Sequence, residues 1–378
     1  MNNEEWTHRI LEHRTAVSDT VSFTHSEAPN SCYSPDRGMF YTVYTASRRC
    51  YGEAHEVVAL VLTPVCQPTR FQTRIIAERG VTPGLENVKK IIGQSCFYYT
   101  TDEVLYNVKT HFGKTADIFR GYVRITLSLD GDRHYYTDYD IVNDSFSEMK
   151  PLNVLYKGQV QPFTGEVFRN YLADQGFHDF NSEEKGETLI LTDKFHLHSD
   201  GYRYTLSTAA WAWPALMRLK DGSDIMEFVG VIPQCAQYEA QSALLDDRIY
   251  AILRGSKGDN LMVSDDWGKT FRGIGRIEFN TTRPQLLTHD GELLIGVSLK
   301  GILPNRVRDG RNNLLLLHGK GDDLAGYKEV FMVTDPLGMV YYDIQDYKGS
   351  LYMFWSSADL YVDKNPQAKD LIWYVRLG

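Results

Sequence analysis

The chain of 378 residues has few cysteines, and the five it has (Cys32, Cys50, Cys66, Cys96, Cys235) never fall at C-x-x-C spacing. An odd, scattered set of thiols argues against the usual zinc frames and against a disulfide framework, so neither a metal nor another cofactor is expected. Basic runs are also missing. Lys and Arg number 40 against 49 Asp and Glu, a net charge of −9, which is the wrong sign for a nucleic-acid partner. No window reaches roughly 18 consecutive apolar residues, so no membrane span is expected. The opening MNNEEWTHRI lacks the basic and apolar regions of a signal peptide. As it stands the chain is expected to be cytoplasmic with reduced thiols, and secreted if a signal has been removed.

What is present is a large apolar and aromatic stock. Hydrophobic residues make up 43% of the chain, including 24 Tyr, 17 Phe and 6 Trp, a usage that suits strands and sugar-binding surfaces alike. Six stretches share one pattern: SCYSPDRGMFYTVYTAS (31–47), SCFYYTTDEVLYNVKT (95–110), DKFHLHSDGYRYTLST (193–208), EAQSALLDDRIYAILRG (239–255), RPQLLTHDGELLIGVSL (283–299) and YYDIQDYKGSLYMFWSS (341–357). Each reads as a strand, a tight turn on Asp, Gly or Lys, and a second strand alternating apolar and aromatic residues. Most are followed by a second strand pair, such as HEVVALVLTP with FQTRIIAE, or PALMRLK with IMEFVGVI.

A recurring four-stranded unit, with a period of about 40–50 residues as the signal, predicts a propeller, here all-β with six blades in a single domain over 1–378. The last unit ends in one strand, DLIWYVRL (370–377), and EWTHRILEH near the N-terminus is expected to supply its missing fourth. Pairing the two chain ends would close the ring and remove sheet edges. Residues 151–187 fall outside the repeat, as a partly helical insertion between blades two and three with GEVFRNYLADQGF as its helix.

VSDDWGKTF (263–271) has its own spacing, Ser264-x-Asp266-x-Gly268-x-Thr270-Phe271. Weaker versions, SLDGD and LKDGSD, are expected at the same place in other blades. The recurrence favours a folding role, with Ser and Asp closing a turn through local hydrogen bonds and the aromatic packing between strands.

Propeller topology selects candidate site residues. Inner strands start on one rim, and the loops after second strands return to it. Counting back from each inner turn gives Asn30 or Ser31, Ser95, Asp193, Glu239, Arg283 and Tyr341; the returning loops add Arg48, Glu53, His55, Trp211, Trp213, Arg254 and Arg311. Glu239 stands at the channel edge as a candidate catalytic carboxylate, its alternative being a blade-to-blade ion pair. Trp211 and Trp213 could stack on a sugar ring or pack between blades. Asp193 could contact substrate. His196 and His198 alternate on one strand face, but no third metal ligand with convincing spacing accompanies them.

The Asp-containing turn resembles the Asp-box, or BNR repeat, of sialidases (neuraminidases), and six such units resemble that superfamily's six-bladed propeller. The resemblance implies an exo-glycoside hydrolase acting on an oligosaccharide or glycoconjugate. Glu239 and Arg254, fifteen residues apart, then match the family's Glu and Arg of blade four; Arg311 matches an Arg of blade five; Tyr341 matches the nucleophile, with Tyr342 as the register-shifted alternative. Arginines would hold a substrate carboxylate. Glu239 would take the phenolic proton, and Glu53 or His55 would protonate the leaving oxygen.

The chain departs from the family at blade one, where Asn30-Ser31-Cys32-Tyr33 replaces Arg-Ile-Pro and Glu53, His55 and Glu56 stand in place of the acid/base Asp. Unless Arg283 or Arg48 compensates, the arginine triad is incomplete, so a sialic acid is not implied and a uronate stays open. A polysaccharide lyase and a non-catalytic glycan-binding propeller are the alternatives, and a homo-oligomer is compatible with the sequence.

Overall fold

The computed structural model describes residues 2–18, 23, 25–48, 56–109, 113–178, 189–191, 193–237, 239–255, 258–277, 281–299, 313–335, 337–339, 341–357 and 370–378. Six sheets are arranged as a six-bladed β-propeller. Blade four shows the plan: Ala240–Leu245, Arg248–Leu253, Asp259–Ser264 and Arg272–Ile277 pair antiparallel in chain order from the channel outward. Blade one (His25–Ser34, Met39–Ser47, Val57–Pro64, Gln72–Glu78) and blade five (Thr281–His289, Glu292–Leu299, Asn313–Gly319, Lys328–Thr334) repeat it.

Each blade is covered on both faces, so the chain has no single core. Six apolar clusters of buried residues lie at the six blade-to-blade seams. In the strand MFYTVYTAS, Phe40, Tyr44 and Ala46 pack toward blade six while Tyr41 and Val43 pack toward blade two. Period-two alternation therefore separates two apolar faces instead of apolar from polar, which is why these strands read as near-continuous hydrophobic runs.

The ring closes through the chain ends, but not through EWTHRILEH. That stretch lies in helix α1 (Asn3–His13), started by a capping box in which the Asn2 side chain accepts from Glu5 N at 2.9 Å and Glu5 Oε2 accepts from Asn2 N at 2.8 Å. Its apolar side puts Trp6 against Phe331, ring centroids 5.0 Å apart, and Ile10 into the seam of blades five and six. The closing strand is Thr15–Ala16, which pairs with Trp373 and Tyr374 of Ile372–Arg376. Between helix and strand, Arg14 Nη1 meets the fully buried Asp335 carboxylate at 2.6 Å and its guanidinium lies 4.3 Å from the Trp373 ring centroid. Among the described residues, Arg14→Ala would leave that carboxylate with only the Leu337 N–H and the Trp355 indole. The expected cost is about 3 kcal/mol in urea unfolding, at the low end for breaking a buried pair; a loss under about 1 kcal/mol would mean that the closure is not held there.

Blade two also differs from expectation. The described residues of the 95–110 stretch are not a strand-turn-strand unit; 95–109 belong to one long strand, Ile91–Lys109, paired with Thr115–Leu129 and interrupted by register shifts near Thr100 and Val104. SLDGD consequently joins the second and third strands, on the rim side, whereas LKDGSD joins the third and fourth strands of blade three. The insertion adds a hairpin, Asn153–Tyr156 and Gln159–Pro162, parallel to the outer strand Ile225–Val231 of blade three, and then helix α2 (Gly165–Asp174). Phe163, Phe168 and Leu172 fill the seam between blades two and three.

The turn at 265–271 lies on the face opposite the rim and serves folding. Ser264 Oγ accepts from Gly268 N at 2.7 Å and donates to Asp266 Oδ1 at 2.8 Å; Asp266 in turn accepts from Thr270 N at 2.9 Å and Thr270 Oγ1 at 2.7 Å. A Cβ on Gly268 would lie 2.0 Å from Leu216 Cδ2, and its φ is +84°, so glycine is required there.

Candidate active site

Glu239 immediately precedes the inner strand of blade four and Arg254 immediately follows the second, so the hairpin pairing itself brings them together: Arg254 N donates to Glu239 O at 3.0 Å. Their side chains also join, Arg254 Nη1 donating to Glu239 Oε2. Glu239 is 8% exposed, keeping one edge toward the rim.

Arg283 enters from blade five. It sits at the break in register between Thr282 and Gln285 with φ +41°, and this left-handed residue turns its side chain across to blade one, where Nη2 donates to Pro29 O at 3.2 Å. The guanidinium therefore lies beside the strand start that holds Asn30 and Ser31. Arg48, the other residue expected to compensate there, is committed to Glu78 at 3.0 and 3.1 Å. Arg254 Nε and Arg283 Nε are both buried with no hydrogen-bond partner among the described residues. Two buried guanidinium groups with N–H to spare are prepared for an anion.

Tyr341 and Tyr342 open the inner strand of blade six on opposite faces. Tyr341 is half-buried, its ring centroid 5.3 Å from the Arg283 guanidinium carbon. Tyr342 is fully buried, packs on Gly296, and its hydroxyl has no hydrogen-bond partner among the described residues. Burial, with Asp259 and Glu239 nearby, pushes its pKa well up, while Arg283 acts in the opposite sense. Glu239, Arg283 and Asp259 thus all act on the Tyr342 phenol.

Trp211 stands on the same rim at a bulge, with φ +53°. Left-handed backbone is unfavourable for a residue of this size. Ala28, at φ +56°, and Arg283 share that strain at the starts of inner strands. Trp213, two residues on, packs against Phe177 with centroids 5.3 Å apart and belongs to the seam with the insertion. Asp193 lies beneath the rim, fully buried, and its two oxygens accept from Lys194 N, Leu206 N, Ser242 N and Ser242 Oγ. That leaves it no face for a ligand; it ties blade three to blade four. Glu53, His55 and Arg311 lie outside the described residues.

Sequence reasoning missed Asp259, whose one signal is a lone acid before the run NLMV. It also missed the pair that plugs the channel. Lys194 Nζ reaches from blade three to Asp343 Oδ1 in blade six at 2.9 Å, and Asp343 Oδ2 accepts from Ser31 N of blade one at 2.8 Å. Among the described residues no group of three or more His, Cys, Asp or Glu could hold a metal ion, and no helix is long and apolar enough to cross a membrane.

No family model and no curated protein matches the sequence. Solved structures do match in fold. Trypanosoma rangeli sialidase in complex with sialic acid is similar with a TM-score of 0.57 at 10% identity, covering 94% of this chain and 54% of that one. A protein of unknown function from Dyadobacter fermentans DSM 18053 gives 0.57 at 11% identity over 96% of both chains. NanB plus Optactamide gives 0.53 at 13% identity, over 96% of this chain and 69% of that one. The chain spans about half the length of the trypanosomal sialidases it matches. At such identities the likeness shows the propeller fold, and a fold does not determine chemistry.

Proposed function

We propose that the rim around Glu239 is a glycan site and that the protein is a glycoside hydrolase for sugars bearing a carboxylate. The observation that carries this reading is the pairing of Arg254 with the Glu239 carboxylate, with the Nε of Arg254 and of Arg283 buried and unpaired among the described residues and with Glu239 and Arg283 both acting on the Tyr342 phenol. The arginines would grip the carboxylate through planar paired hydrogen bonds. Glu239 would take the phenolic proton as the tyrosine attacks the anomeric carbon, because a phenol whose pKa is raised is a weak nucleophile unless a base receives its proton. Trp211 offers a flat apolar surface for the sugar ring. Glu53 and His55 are the proposed proton donors for the leaving oxygen.

A second reading, a glycan-binding propeller without turnover, is favoured by two features: Tyr342 is fully buried, and Glu239 is already engaged by Arg254. Mass spectrometry of products from sialylated, uronate-containing and neutral oligosaccharides separates these readings. The proposal expects products that carry an added water and come only from the acidic glycans. Unsaturated products would identify a lyase, and intact glycans with a folded protein would leave the binding propeller.

A further inference from the structure

A second cleft lies away from the Glu239 rim. It measures about 610 Å³ and opens where the ring is closed, between α1 and Thr15, the Val65–Pro68 turn of blade one, and Tyr352, Tyr374 and Arg376 of blade six. Its lining includes Arg9, His13 and Arg376 and no Asp or Glu, in a chain whose net charge is −9. Several other arginines are spoken for: Arg74, Arg120, Arg124, Arg203 and Arg272 each hold a carboxylate. Among the described residues no carboxylate pairs with Arg9, His13 or Arg376.

Arg9 and His13 are four residues apart on α1 and so share one helix face, where both can donate to one anion. Arg376 approaches from the opposite wall, oriented by a 2.9 Å hydrogen bond to Ser350 Oγ and lying 5.9 Å from the Tyr352 ring centroid. The Tyr352 and Tyr374 rings stack at 5.9 Å and 27°, giving the cleft a flat aromatic wall. Burial raises both phenol pKa values, so both hydroxyls stay protonated and can donate.

We propose that this seam cleft is a second ligand site, for a small organic anion whose phosphate or carboxylate is held by Arg9 and Arg376 while its sugar ring rests on the tyrosine wall. Guanidinium groups match either headgroup in planar geometry, tyrosines suit a ring with one wet edge, and the volume fits a small ligand. The three walls come from the N-terminus, blade one and blade six, so a bound anion would also clamp the ring closed and stabilise the fold.

Two readouts test this, thermal unfolding and alkylation of the exposed Cys66 by N-ethylmaleimide, followed at that peptide by mass spectrometry. The probes are glucose 6-phosphate, glucuronate and uncharged glucose. At least one of the two anions is expected to raise Tm and to slow Cys66 alkylation severalfold, the better of them identifying the headgroup; glucose should do neither. Arg376→Ala should weaken that protection about tenfold or more, as expected for loss of a hydrogen bond to a charged group, and should leave turnover at the Glu239 rim unchanged. Arg376→Lys, which keeps the charge on a similar stem, should recover part of the protection. The proposal is overturned if neither anion protects Cys66 at about 10 mM, a weak-binding limit. It is equally overturned if glucose protects as well as the anions, or if protection is undiminished in Arg376→Ala.

Discussion

Glu239→Gln is expected to lower kcat for release of an acidic sugar about 1,000-fold, within the usual range for removing a general base. The amide keeps an oxygen that can accept from Arg254 Nη1, and the Arg254 N to Glu239 O backbone bond is untouched. Stability should therefore change by no more than about 1 kcal/mol, the difference between a charge-assisted and a neutral hydrogen bond. Steady-state kinetics beside urea unfolding checks both halves. If activity and stability fall together, the pair is a structural clamp between the first two strands of blade four; if activity is unaffected, the proton goes elsewhere, with Asp259 the nearest alternative.

Asp193→Asn should unfold the propeller more readily by about 3 kcal/mol, because whichever way the amide turns, its NH₂ faces backbone N–H donors and leaves at least one unsatisfied. Asp193→Ala should cost more, about 5 kcal/mol, since all four donors from Lys194, Leu206 and Ser242 lose their acceptor. The effect also has a pH signature. Burial pushes the Asp193 carboxyl up to about 7, against hydrogen bonds that favour the anion. The unfolded value is lower, about 3.9, so between roughly pH 4 and 7 the folded state holds a proton that the unfolded state has released. The stability this residue contributes is thus fully present below about pH 4 and is lost as pH rises through 7. The gap between wild type and Asp193→Asn should narrow from pH 5 to pH 8 in denaturant titrations. A gap that stays constant over that range would mean that the folded-state carboxylate is ionised throughout.

The blades were legible because each inner hairpin carries its own turn chemistry and a strand buried on both faces. Glu239 and Arg254 were legible for the same reason: they flank one such hairpin, so pairing dictates their meeting. The sequence was misread where local signals compete. EWTHRILEH reads as a strand only because the ring needs one, whereas Asn2 and Glu5 spell a capping box and Trp6 and Ile10 share a helix face. In blade two, TTDE resembles a turn but lies inside Ile91–Lys109, which runs on past the sheet with Val104 and Tyr106 exposed. Arg283 could be placed on the rim, yet its reach to Pro29 depends on a left-handed backbone that no spacing rule announces. Asp193 was taken for a ligand contact because position alone cannot show that four donors enclose it.

The most direct test of the rim is isothermal titration of sialic acid and glucuronic acid, each against its methyl ester, which removes the charge and keeps the sugar. Using the Arg376→Ala chain removes any contribution from the seam cleft. The account predicts that at least one free acid binds about tenfold or more tightly than its ester, and that Arg283→Ala abolishes the difference. Equal binding of acid and ester, discrimination that survives Arg283→Ala, or no binding of either acid would contradict it.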